Sequence, residues 1–214
     1  MAFTAQDVKT LREMTNCGMM DCKKALTETD GDMDKAVEFL REKGLATATK
    51  KAGRIASEGI VKVYMSEDKN VGVLLEVNSE TDFVAKNEVF QAFVEAVANQ
   101  AVESDAADMD AFLAEPWNLD TSKTVKDELV EKVAKIGENL NIRRFEKVVA
   151  ENGCVVSYVH GGGRIGVIVE ADTDVVNDAV KEAMTNIAMQ VAALSPKYVS
   201  TADVSEEYKA HEME

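Results

Sequence analysis

The spacing of apolar side chains changes period between residues 44 and 60, from helical to alternating, and that change requires a chain that builds both helices and sheet. Thr4 sits at an N-cap with Asp7 three residues on, and Val8, Leu11 and Met14 follow at helical spacing, so a first helix is expected to end near Asn16. Met19, Cys22, Lys23 and Leu26 line one side of a second helix, closed at Asp30-Gly31 where glycine accepts the left-handed cap. Asp32 caps a third, with Met33, Ala36, Val37 and Leu40 inward and Gly44 expected as its stop. Three short helices packed this closely form a small bundle.

Beyond the switch, Ile60, Val61, Val63 and Tyr64 run to a turn at Glu67-Asp68-Lys69-Asn70, and VGVLLEVN (71–78) returns as the second strand of a hairpin. A helix from Glu88 to Glu103 then presents Val89, Phe90, Phe93, Val94 and Val97 on one face. ESDAADMDAFLAEPW, with five carboxylates and no basic residue, reads as an exposed connection with a short helix at most; it lacks the alternating ligands and glycine of a calcium loop. Thr121 or Ser122 is expected to cap a helix through Ile136. Three extended runs follow, NIRRFEKVVA, CVVSYVHG and IGVIVEAD, and then a helix from Val175 to Leu194. Strands followed by helix, twice over, predict an α+β core of two related halves: a hairpin then helices, and a three-strand sheet then a helix.

Charge narrows the function. With 39 acidic and 24 basic side chains the net charge is -15, a field that repels a phosphate backbone, so no direct nucleic-acid partner is expected. Charged or polar residues break every run short of the roughly 18 apolar residues a membrane helix needs. The amino terminus has neither the basic start nor the apolar stretch of a secretory signal, so a soluble cytoplasmic protein is expected. The three cysteines, Cys17, Cys22 and Cys154, are too few for a disulfide framework and wrongly spaced for zinc, which leaves buried or half-buried thiols. The two histidines, His160 and His211, assemble no Ser/His/Asp or Cys/His constellation. No catalytic residue, metal or cofactor is expected.

Four segments compete for a binding role. Residues 41–54, REKGLATATKKAGR, form the sustained basic stretch of an acidic protein, either a solvated linker helix or a patch for an acidic surface. In Thr81-Asp82-Phe83-Val84-Ala85-Lys86-Asn87, one account makes Thr81 or Asp82 a helix cap and Phe83 a core anchor; the other has Phe83 protruding from a loop as a wedge beside Asp82. His160-Gly161-Gly162-Gly163-Arg164 lies between two strands, so a hairpin tip fits better than a phosphate loop, which leads into a helix. Met19 and Met20 are adjacent at a helix start and, about 100° apart around the axis, cannot both face inward.

Five blocks, taken in order, resemble the bacterial translation elongation factor Ts family: MTNCGMMDCKKALTETDGDMDKAVEFLREKG, AGRIASEGIV, EVNSETDFVAKN, KIGENLNIRRFE and SYVHGGGRIGVIVE. The resemblance implies a ubiquitin-associated-like three-helix amino-terminal domain over 1–54 with a basic linker helix. An α+β core follows with antiparallel sheets in two related halves, 55–140 and 141–200, and then an acidic tail over 201–214. It also implies guanine nucleotide exchange on elongation factor Tu, GDP-bound or nucleotide-free, by disruption of that protein's magnesium and phosphate site. The partner-binding residues so implied are Thr81, Asp82, Phe83, Val84, Met19, Met20, His160 and Gly161. The HGGGR tip is longer than the family's usual one. Members commonly continue after a PKYVS-like block into a helical hairpin, where this chain has only TADVSEEYKAHEME; it is either a short form or a piece of a longer protein, the latter with an exposed sheet edge and a tendency to form a homodimer. The rival functions are an adaptor that uses its three-helix domain and a phosphate-binding enzyme that uses Gly161 to Arg164.

Overall fold

A computed structural model describes residues 3–15, 17–67 and 70–213. Asn16, the expected end of the first helix, and Asp68-Lys69 of the expected hairpin turn lie outside the described residues. The chain divides into two compact units, Met1–Tyr64 with Val73–Lys147, and Met65–Gly72 with Val148–Glu214.

The first unit begins with α1 (Ala5–Thr15), α2 (Met19–Glu28) and α3 (Met33–Lys51). Thr4 and Asp7 cap α1 reciprocally: the Asp7 carboxylate accepts the Thr4 N–H at 2.7 Å and the Asp7 N–H donates to the Thr4 hydroxyl at 3.3 Å. Val8, Leu11, Cys22, Ala25, Leu26, Ala36 and Leu40 meet in one buried cluster. Met14 does not join them; it is exposed. Gly44 does not stop α3 either. The helix runs through it and lies on α7 (Val125–Ile136), where a Cβ on Gly44 would stand 3.8 Å from Ala134 and 3.9 Å from Val130. Tertiary packing overrides the weak local preference of glycine for a helix end. The basic stretch is therefore largely the second half of α3, and several of its charges have internal partners. Arg41 pairs with Asp127 at 3.4 Å, Lys43 with Asp21, and Lys51 donates to the Gly137 carbonyl at 2.5 Å.

Next come β1 (Glu58–Met65), β2 (Val71–Ser79), α4 (Asp82–Ala85), α5 (Glu88–Glu103), α6 (Met109–Ala114), β3 (Pro116–Trp117), β4 (Asp120–Thr124), α7 and β5 (Asn141–Val149). The 66–70 connection is too short for a crossover, so β1 and β2 form an antiparallel hairpin. Alternate β2 residues Val73, Leu75 and Val77 enter the main core and meet the α5 stripe of Phe90, Phe93, Val94, Val97, Ala98 and Ala101. The acidic segment after α5 is not simply an exposed connection. Its Phe112 and Trp117 are core residues, with Trp117 6.3 Å from Phe93 and Phe112 4.8 Å from Phe145 between ring centroids. Buried Gln100 fastens it, donating to the Pro116 carbonyl at 3.0 Å and accepting the Asn118 N–H at 3.0 Å. Thr121 and Ser122 lie in β4; the cap of α7 is Thr124, boxed with Asp127.

β5 lies beside β2, in the sheet order β1-β2-β5, so the expected three-strand sheet of the second half reduces to an antiparallel pair, β6 (Gly153–His160) and β7 (Ile165–Asp172). That pair runs in unbroken register from Gly153 opposite Asp172 to His160 opposite Ile165. In the second unit, α8 (Asp178–Leu194) starts after the Asn177 cap, three residues later than Val175, and seats Met184 and Val180 against Cys154 and Val156. Gly72 fits closely against Val155, to whose Cγ1 an added Cβ would come within 2.9 Å. The tail holds a 3-10 turn, Thr201–Asp203, and α9 (Glu206–Glu212). The architecture is α+β: amino-terminal helices, then mixed helices and antiparallel sheet. Cys22 and Cys154 are buried, Cys17 is half-buried, and all three are free.

Candidate functional site

β2 delivers the chain to Ser79, which is fully buried, and within a few residues the chain must reach the surface and re-enter as α5. A single helical turn makes that change. Thr81 caps α4 by accepting the Val84 N–H at 3.4 Å, and Asn87 caps α5 by accepting the N–H groups of Val89 and Phe90 at 2.8 and 3.4 Å. The cap half of the first account of this segment holds, but the core-anchor half does not. Val84 and Ala85 turn inward, whereas Phe83 stands 81% exposed on a short helix rather than in an irregular loop. Beside it the Asp82 carboxylate accepts from Lys86 Nζ at 2.7 Å.

A second loop braces this turn. Gly137 closes α7 at φ +85, a conformation other side chains rarely adopt, and sends Glu138 back towards β2. The Glu138 carboxylate accepts the N–H groups of Glu80 and Thr81, each at 3.1 Å, on one oxygen and the Thr81 hydroxyl at 2.7 Å on the other. Glu80 returns the contact by accepting the Asn139 N–H at 2.6 Å. Arg54 lies 3.5 Å from Glu80, and its carbonyl accepts from the Asn139 side chain at 2.8 Å. The Asn139 N–H, with Arg54 beside it, holds the Glu80 carboxyl below the usual carboxylate range. Residue spacing gives no hint of this brace, because its members lie far apart in the chain. The one available sign is that Glu138 falls within KIGENLNIRRFE, one of the blocks that carry the resemblance.

The other expected contact residues are all on the surface but on separate elements. Met19 and Met20 open α2, 46% and 74% exposed, so both face solvent where at least one was expected to. They share the first unit with residues 81–84. His160 and Gly161 belong to the second unit, where His160 ends β6 with its Nδ1 2.9 Å from the Tyr158 hydroxyl. Gly161, Gly162 and Gly163 adopt φ of +61, +68 and +96, so the segment is a tight hairpin tip and no helix follows it. Among the described residues no group of three His, Cys, Asp or Glu is arranged to hold a metal ion, and no helix is long and apolar enough to cross a membrane.

Fold and site together define an α+β protein whose candidate site is a braced, protruding aromatic rather than a cleft. The family model described as Elongation factor TS matches residues 80–214, a span that starts at this braced turn. The chain is 55% identical over 204 residues to elongation factor Ts of Clostridium novyi (strain NT), covering 95% of this chain and 67% of the relative. It is 54% identical over 212 residues to that of Clostridium perfringens (strain SM101 / Type A), covering 99% and 69%. Against that of Halothermothrix orenii it is 50% identical over 207 residues, covering 97% and 69%. The chain belongs to the elongation factor Ts family, and it spans about two thirds of the length of these relatives.

Proposed function

We propose that this chain is a guanine nucleotide exchange factor that binds elongation factor Tu, GDP-bound or nucleotide-free, and speeds GDP release during translation elongation. The observation that carries the reading is Phe83, exposed at the head of a turn whose backbone is fixed from behind. A large apolar side chain held in water gains most when a partner covers it. In this reading Phe83 and Asp82 enter the GTPase beside its magnesium and nucleotide phosphates, with Thr81 and Val84 setting their pose. Met19 and Met20 meet the nucleotide-binding domain, and His160 and Gly161 make a further contact.

The action is thermodynamic, not covalent. A wedge that stabilises the conformation with broken phosphate contacts weakens GDP binding, and linkage requires that nucleotide weaken the wedge's binding by the same factor. Incoming GTP therefore expels the factor, and the chain works as a binding protein, not an enzyme. The same reading takes 1–54, 55–140, 141–200 and 201–214 as the domain divisions, places the protein in the cytoplasm and, where the chain is a piece of a longer protein, includes homodimer formation through an exposed edge strand of the second half. The test is the release of fluorescent GDP from elongation factor Tu under excess unlabelled nucleotide. The chain should accelerate it, and the folded Asp82→Ala, Phe83→Ala double variant should not. Absence of acceleration by the unaltered chain would overturn the reading.

A further inference from the structure

The brace behind the turn contains a carboxylate with no role in the proposed contact. Glu138 places three acceptor contacts on two adjacent residues, Glu80 and Thr81, that immediately precede Asp82 and Phe83. Two of the three donors are consecutive backbone N–H groups at the start of a helical turn, where donors have no partner within the helix. Glu138 is half-buried, and Gly137 fixes its direction of approach.

We propose that Glu138 is a positioning residue for nucleotide exchange, which holds the Asp82-Phe83 turn in its docking pose before the partner arrives. This rests on the exchange-factor reading for its functional part. A one-turn helix is too short to hold its shape alone, because nucleation fixes many dihedral angles for one hydrogen bond. The external carboxylate supplies what the turn lacks, so its ordering is complete before docking and does not subtract from affinity. Because Glu138 acts through the turn and not on the partner, its contribution vanishes when the wedge is removed.

That dependence makes a double-mutant cycle decisive. Glu138→Ala should slow Tu-dependent GDP release roughly tenfold or more, the scale of losing charge-assisted hydrogen bonds. In the Asp82→Ala, Phe83→Ala background it should cause no further loss. Glu138→Gln should recover part of the rate, since its amide oxygen still accepts the two N–H groups and its amide nitrogen donates to the Thr81 hydroxyl, which can rotate; it is also the variant to use if Glu138→Ala fails to fold. Amide hydrogen exchange gives a readout without the partner: residues 80–85 should exchange at least roughly tenfold faster in Glu138→Ala while the α5 interior is unchanged. Wild-type exchange activity in Glu138→Ala, a loss that simply adds to that of the wedge variant, or unchanged protection over 80–85 would each overturn the proposal. If the unaltered chain fails to release GDP while protection at 80–85 still depends on Glu138, the exchange-factor reading falls and the positioning of the turn stands.

Discussion

The turn at residues 80–85 and the tip at 160–165 both hold a side chain out from the fold, and they do so by opposite physics. The turn is one helical cycle of ordinary residues, fixed by a carboxylate from a distant loop. At the tip, three glycines at positive φ let two strands reverse, with the Tyr158 hydroxyl beside His160. The first solution spends distant residues to make a shape the local sequence cannot hold alone. The second spends local conformational freedom and needs little beyond the strands themselves. A position held by distant residues is broken by a substitution far along the chain, whereas one held by glycines is most sensitive at the glycines themselves.

The largest expected contrast lies between the turn and the helix that follows it. Phe90→Ala, which empties a fully buried site two residues into α5, should cost about 3–5 kcal/mol in chemical denaturation, while Phe83→Ala should leave stability within about 0.5 kcal/mol and remove most exchange activity. Equal destabilisation by the two would erase the distinction between core and wedge. Smaller effects separate the glycines. Gly162→Ala meets no atom within 4 Å yet must hold φ near +68, so a loss of about 1–2 kcal/mol by thermal melting would come from backbone strain alone. Gly44→Ala, inside α3 with ordinary contact distances to Ala134 and Val130, should instead stabilise by about 0.5–1 kcal/mol.

The most local effect is with pH. The folded Glu80 carboxyl titrates below its ordinary value of 4.5, so its contribution to the brace is complete above that value and is lost as pH falls through the lower, folded one. Followed by nuclear magnetic resonance as pH falls below 4.5, the Asn139 amide should shift and the 80–85 amides lose protection while the 161–163 amides stay nearly constant. A tip that responds as strongly as the turn would break the comparison.

What could be read in the sequence follows from how far each feature reaches along the chain. The α5 boundaries, the caps at Thr4 and Asp32, and the β6–β7 hairpin depend on residues a few positions apart, so periodicity and turn chemistry reveal them. Gly44 misleads because the evidence that α3 continues lies on α7. The partner of β5 is equally hidden, since its own alternation fits a place beside β2 or beside β6. Phe112 and Trp117 sit among carboxylates whose charge suggests exposure, and what holds that segment on the core, Gln100 and the rings of Phe93 and Phe145, comes from other elements. At the site, a cap at Thr81 or Asp82 could be read from type and spacing, but not the choice between them, the outward direction of Phe83 or the grip of Glu138, which depend on what occupies the space behind them.

The continuation of α3 through Gly44 makes that helix a ruler. Its 19 residues span about 28 Å at 1.5 Å per residue. One half shares a core with α2, which opens on Met19 and Met20; the other reaches Gly137 at the base of the brace behind Phe83. The separation of these two surfaces of the first unit is thus set by one continuous helix. Each residue added to or removed from α3 would change their separation by about 1.5 Å and rotate one against the other by about 100°.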